Sequence, residues 1–185
     1  MARTPSKMIP LGSPLPAFAL PDTEGGVIRA GDHDAAPALL VMFICNHCPY
    51  VIHIAREIAG VAAEYDPKGI GFVAISSNDV AERPEDEPEA MAEFAEANNF
   101  IFPYLYDESQ DVAKAYDAVC TPDFFLFDAK GRCAYRGQFD ASRPNNGEPV
   151  TGADLRASLD AVLEGDLIPE EAQVPSQGCS IKWKA

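Results

Sequence analysis

The apolar residues of this chain change their spacing from continuous to helical and back between residues 38 and 77. Leu39 to Ile44 is a run of six consecutive apolar residues, the pattern of a strand buried on both faces. Val51, Ile52, Ala55, Ile58, Ala59 and Ala62 then recur at helical spacing, so a helix begins within or just after the segment Cys45–Cys48. Asp66-Pro67-Lys68-Gly69 is turn chemistry, and Ile70 to Ser77 reads as a second buried strand. Strand, helix and strand make a β-α-β unit, which implies parallel strands and a right-handed crossover.

Upstream, residues 1–16 carry four prolines and no periodicity, the mark of an irregular arm. Phe18 and Leu20, the turn Asp22 to Gly26, and Val27-Ile28 predict a β-hairpin. Downstream, the acids between residues 79 and 99, among them Glu85, Asp86 and Glu87, surround Met91, Phe94 and Ala95. They predict a solvated loop followed by an amphipathic helix. Phe100 to Tyr106 is a short extended segment, and Ser109 is placed to cap a helix through Val112, Ala113, Tyr116 and Val119. Asp123 to Asp128, the turn Ala129-Lys130-Gly131 and Cys133 to Arg136 form an antiparallel strand pair. A helix over Asp154 to Leu163 closes the pattern, and Gly165 to Ala185 reads as mostly irregular. The fold class is α/β, a central mixed sheet flanked by helices with an N-terminal hairpin.

The length suits one domain over residues 1–185, with a core of about 14–165 and a tail of 166–185. A net charge of −15 argues against nucleic acid or an anionic membrane as partner. The first residues lack an apolar h-region and no stretch reaches the length of a membrane span, so a cytoplasmic location is expected. Five cysteines, an odd number without a secretory signal, favour free, catalytic or metal-binding thiols over a disulfide framework.

Two of those cysteines form the motif Cys45-Asn46-His47-Cys48 where strand passes into helix. Unpaired N–H groups and the helix dipole would stabilise a Cys45 thiolate there. Cys48, three residues on and one turn in, could close a disulfide with it, so the pair could cycle between dithiol and disulfide. A partly charged His47 imidazole would stabilise the thiolate further. His53 reads as structural or surface-exposed and Cys133 as structural. Cys179 could fold back onto Cys45 or Cys48, with Ile181 and Trp183 anchoring the tail on apolar surface.

The element order, with FICNHCP at the end of the first central strand, Thr121-Pro122 before FFLFD and the hairpin through Lys130-Gly131, resembles the thioredoxin-like fold of the peroxiredoxin and redoxin superfamily over about residues 14–165. CNHCPYV, YLYDESQDVAKAY, VCTPDFFLFD, YRGQFDASRP and GCSIKWK look, more narrowly, like a bacterial peroxiredoxin-like group bearing a Cys-x-x-C motif. The resemblance implies a cis Pro122 lying against the motif, with Cys120 nearby and substrate backbone pairing alongside Thr121 and Pro122. It also implies, from His47, a couple more oxidising than thioredoxin.

The chain departs from its relatives in three places. Ile44 stands where thioredoxins usually carry Trp; with Cys48 aligned to the reactive cysteine of peroxiredoxins, Cys45 and Val41 replace their threonine and proline. The leading expectation is a thiol-disulfide oxidoreductase needing no cofactor. Cys45 attacks a protein or small-molecule disulfide, Cys48 resolves the mixed disulfide, and thioredoxin or glutathione reduces the product. A first alternative is a peroxidase whose sulfenic acid, on Cys45 or Cys48, is resolved by Cys48, Cys120 or Cys179. A second is a copper(I) or zinc protein using Cys45, Cys48, Cys179 and a histidine. Against that, all three histidines, His33, His47 and His53, lie in the first third, and Pro49 excludes a haem attachment motif.

Overall fold

The computed structural model describes residues 3–185; Met1 and Ala2, the start of the expected arm, lie outside the described residues. The first half runs β1 (Arg3–Pro5), β2 (Ala19–Pro21), β3 (Val27–Arg29), β4 (Ala38–Phe43), α1 (Pro49–Tyr65), β5 (Gly71–Ser76) and α2 (Pro88–Ala97). The second runs β6 (Tyr104–Tyr106), α3 (Asp111–Ala115), β7 (Cys120–Thr121), β8 (Asp123–Asp128), β9 (Cys133–Gly137), α4 (Ala153–Glu164) and β10 (Gln177–Ser180).

The central sheet has the order β6-β5-β4-β8-β9. β4, β5 and β6 are parallel, as the β-α-β pattern requires, and β8 and β9 return antiparallel. All six residues of β4 are buried, because its alternate side chains enter two apolar layers. Leu40 and Met42 pack with Val51, Ile54 and Ile58 of α1, Met91 of α2 and Leu155 and Leu159 of α4. Leu39, Val41 and Phe43 pack with Phe125, Phe127, Tyr116 and, from the β2-β3 hairpin, Phe18 and Leu20. Each such side chain contributes about 1.5–3 kcal/mol on burial. Tyr116, just past α3, stands edge-on to Phe43 at 5.3 Å and to Phe125 at 5.6 Å, which seats that short helix on the sheet.

Three local expectations are corrected. The arm is not wholly irregular: β1 pairs with β10, and β10 with β7, in a separate antiparallel sheet of order β1-β10-β7. The tail is accordingly not wholly irregular: it carries a short turn at Glu170–Ala172 and β10. The cap of α3 comes chiefly from Asp107, whose carboxylate accepts the Ala113 and Val112 N–H groups at 2.9 and 3.4 Å, while Ser109 accepts only that of Asp111. A carboxylate bridges the first turn here because Gln110 adopts φ 65° and turns the chain into the helix.

Asp123 opens β8 fully buried, with Ser6 Oγ donating to it at 2.9 Å. Burial outweighs that bond and the Phe124 N–H and pushes its carboxyl from 3.8 up to about 7. The folded state therefore holds this proton more tightly than the unfolded chain does. Its contribution to stability is full below 3.8 and is lost as pH rises through about 7. Urea unfolding should accordingly show wild type losing at least about 1 kcal/mol relative to Asp123→Asn between pH values of about 4 and 8. A constant difference across that range would refute the assignment.

Candidate functional site

β4 hands the chain to a turn, Ile44 to Cys48, that leads into α1. Pro49 occupies the first helical position, where a missing N–H costs nothing, and Cys48 precedes it as the N-cap with extended backbone. The expected phase thus shifts. Cys48 sits at the helix N-terminus, and Cys45 lies a full motif length before it. Both sulfurs are buried.

Cys48 Sγ lies 3.0 Å from Cys179 Sγ and 3.2 Å from the Thr121 carbonyl oxygen. Cys45 Sγ lies 3.2 Å from the Thr121 hydroxyl, so one residue touches both motif sulfurs. Contacts with the Cys179 and Cys45 sulfurs and with the Val51 N–H outweigh burial and lower the Cys48 pKa well below the usual thiol range. Cys45 is held well above that range because it shares its proton with Cys48, is buried and faces the Asp86 carboxylate. The bond to Cys48 likewise pushes Cys179 up. The two shifts favour ionisation of Cys48 over Cys45, and Cys48 is the one placed at the helix N-terminus.

The two residues between the cysteines are held by the acidic segment. Asp86, fully buried, accepts the Asn46 N–H at 2.7 Å, the His47 N–H at 3.3 Å, the Asn78 amide at 2.8 Å and His47 Nδ1 at 2.6 Å. Asn46 in turn donates to the Glu85 carbonyl at 2.8 Å and accepts from the Tyr104 hydroxyl at 3.0 Å. Asp86 is no solvated acid. Burial alone would raise its pKa, but the bonds from His47 and Asn78 outweigh it and hold the carboxyl below the ordinary range.

Opposite the motif, the Thr121–Pro122 peptide is cis, as expected. β10 pairs there with β7, setting Cys179 opposite Thr121 and Ser180 opposite Cys120. On its other side Arg3 of β1 stands opposite Cys179. A Cβ on Gly178 would lie 1.8 Å from the Thr121 carbonyl oxygen, so only glycine lets these strands close. The backbone edge at Thr121 where substrate was expected to pair is thus taken by the chain's own tail.

Ile181, buried, anchors that tail, whereas Trp183 is 39% exposed. Backbone bonds do the rest: Lys182 N–H donates to Asn78 Oδ1 at 2.8 Å and the Gln110 amide to the Lys182 carbonyl at 2.7 Å. Cys120 is buried beside Pro122, its Sγ 3.9 Å from the Pro122 carbonyl. Cys133 sits in β9, away from the group, and His53 lines a small groove with Tyr50, Pro122 and Arg143.

A family model described as the AhpC/TSA family matches residues 11–136. This chain belongs to the AhpC/TSA family. A candidate peroxiredoxin of Mycobacterium tuberculosis is 26% identical over 107 residues, 58% of this chain and 63% of that protein, so less than two thirds of the relative is spanned. The crystal structure of an uncharacterized conserved protein from Geobacillus kaustophilus is 56% identical, covers 100% of this chain and 97% of that one, and superposes with a TM-score of 0.96. A secreted disulfide oxidoreductase of Mycobacterium tuberculosis, homologous to Escherichia coli DsbE, is 19% identical over 78% of this chain and 95% of that one, with a TM-score of 0.60. That likeness shows the fold, which is thioredoxin-like.

Within this AhpC/TSA member, donor atoms of Cys45, His47 and Asp86 lie within 4.8 Å of one another, the one group among the described residues with the makings of a metal site. Asp86 has already committed its carboxylate to four donors, and Cys48 and Cys179 stand outside the group, so this trio does not fit the thiolate-rich site expected for copper(I) or zinc. Asp86 is the member of the site that residue patterns miss. Pro84 and Pro88 flank Asp86 together with Glu85 and Glu87, so nothing in the residue pattern singles it out. Among the described residues no helix is long and apolar enough to cross a membrane.

Removing Asp86 leaves two turn N–H groups and a buried imidazole without their acceptor. Asp86→Ala should lower stability by about 3 kcal/mol in urea unfolding, while Glu85→Ala, an exposed side chain next door, stays within about 0.5 kcal/mol of wild type. Equal effects from the two substitutions would show that the clamp is not there.

Proposed function

We propose that the protein is a thiol-disulfide oxidoreductase in which Cys48 is the attacking thiolate. The observation that carries the reading is the position of Cys48: the N-cap of α1, with Cys179 Sγ at 3.0 Å. Cys48 attacks one sulfur of a substrate disulfide and forms a mixed disulfide, expelling the other sulfur as a thiolate that takes up a proton. Cys45 then attacks Cys48, giving its own proton to the second leaving sulfur and closing the Cys45–Cys48 disulfide. Two electrons pass from the dithiol to the substrate, and an external thiol, glutathione or a thioredoxin, returns them. His47 and Thr121 position the pair, Thr121 by its contacts to both sulfurs. Protein and small-molecule disulfides are both substrates in chemical principle.

Replacing Cys48 by Ser should reduce disulfide turnover at least about 1,000-fold, and Cys133→Ser should leave it within about twofold, assayed with bis(2-hydroxyethyl) disulfide and glutathione. Activity surviving in Cys48→Ser would rule the mechanism out. His47→Ala strips Asp86 of its counter-charge beside Cys45, and should make the couple more reducing by about 30 mV, a tenfold change in the glutathione equilibrium. An unchanged potential would remove His47 from the redox chemistry.

A second reading, a thiol peroxidase, draws on the same thiolate. Cys48 occupies the position of the reactive cysteine in peroxiredoxins, and it would be oxidised by hydrogen peroxide to a sulfenic acid with release of water. The Cys179 thiol, 3.0 Å away, would condense with it to a disulfide and a second water. Thiol-dependent consumption of hydrogen peroxide by wild type, lost in Cys48→Ser, separates the two readings.

A further inference from the structure

The tail strand does more than deliver a third sulfur. An extended peptide adds to a sheet edge by main-chain hydrogen bonds, with its side chains fixing which residue faces the pocket. β10 has this geometry against the site. It runs antiparallel to β7, Ile181 N–H donates to the Val119 carbonyl at 3.0 Å, and its register sets Cys179 opposite Thr121. That register brings the Cys179 sulfur to 3.0 Å from Cys48. Gly178 is the residue whose missing side chain allows the approach, since a Cβ there would meet the Thr121 carbonyl oxygen at 1.8 Å. β1 covers the outer edge of the same strand, so no free edge remains beside Cys179.

We propose that β10 is a built-in substrate strand: it occupies the backbone edge that an extended protein substrate would need, presents Cys179 to Cys48 as an internal substrate cysteine, and thereby selects small-molecule disulfides over protein disulfides. The inference rests on the oxidoreductase reading and adds its substrate class. It has a covalent consequence. When the Cys45–Cys48 disulfide has formed, the Cys179 thiol attacks Cys48, the Cys45–Cys48 bond breaks, Cys48–Cys179 forms and the proton of Cys179 passes to Cys45. The exchange is internal and uses no outside oxidant. A protein substrate must first displace four residues of paired strand together with the Ile181 anchor, whereas a small disulfide needs no backbone pairing.

The test compares full-length wild type with Gly178→Ala and with Ile181→Ala, both of which loosen the strand while keeping every cysteine. The kcat/KM values for insulin and for bis(2-hydroxyethyl) disulfide are measured with glutathione as reductant, and amide exchange at Cys179 reports whether β10 is docked. Wild type should favour the small disulfide, and the insulin-to-small-disulfide ratio should rise at least about tenfold in a variant whose Cys179 amide has lost protection. Peptide mapping of mildly oxidised, thiol-blocked wild type should find Cys48–Cys179 beside Cys45–Cys48. An unchanged ratio in a variant with an unprotected Cys179 amide overturns the proposal, as does protection retained in both variants or the absence of the Cys48–Cys179 peptide. The peptide mapping decides the matter on wild type alone if neither variant folds. Wild type that turns over neither substrate instead refutes the oxidoreductase reading, a result distinct from any of these.

Discussion

The contact on which the site depends is the approach of the Gly178 backbone to the Thr121 carbonyl. It is closer than any side chain would permit, and it fixes where the tail strand lies. From it follow the position of Cys179, the burial of the motif sulfurs and the loss of the open edge beside the cis peptide. Thr121 is the pivot, for its hydroxyl faces Cys45, its carbonyl faces Cys48 and its backbone pairs with β10. The chemistry of the two motif cysteines cannot be separated from a strand more than a hundred residues downstream.

The second organising element is electrostatic. Among the buried carboxylates of this acidic chain, Asp86 binds the turn between the cysteines and the ring of His47. The pair is close to neutral when the imidazole is charged, so His47 acts beside Cys45 chiefly by cancelling a negative charge rather than as a lone cation. The contact with Cys48, burial and what remains of the Asp86 charge raise the Cys45 pKa, while Cys48 has the Val51 N–H. Asn78 joins the two halves of the arrangement: its amide nitrogen donates to Asp86, and its oxygen accepts the Lys182 N–H of the tail.

Much of this was legible in the residues. The strands Ala38–Phe43, Gly71–Ser76 and Asp123–Asp128 are long apolar runs, and burial on both faces leaves an unmistakable pattern. The helix α1 and the hairpin were readable from period and turn chemistry, and the cis Pro122 from the family resemblance. β1 and β10 were not, because three- and four-residue polar strands carry no alternation and owe their existence to partners at the far end of the chain. Asp86 was hidden differently. One carboxylate among many looks solvated until the fold shows which of them meets four donors, and composition holds no trace of that meeting. The helix begins just after the motif, and because Pro49 fits its first turn but not its interior, the cap falls on Cys48 and not on Cys45.

The sheet β1-β10-β7 also bears on how the molecule is assembled. Its pairing of Arg3 with Cys179 closes a loop over nearly the whole chain. Contacts so distant in sequence are slow to form, because the entropy of closing the loop must be lost before the contact rewards it. The parallel pairing of β4 with β5, local to the β-α-β unit, has no such delay. In order of synthesis Cys45, Cys48 and Thr121 all precede β10, so the edge at Thr121 stays uncovered until β10 has been made and paired.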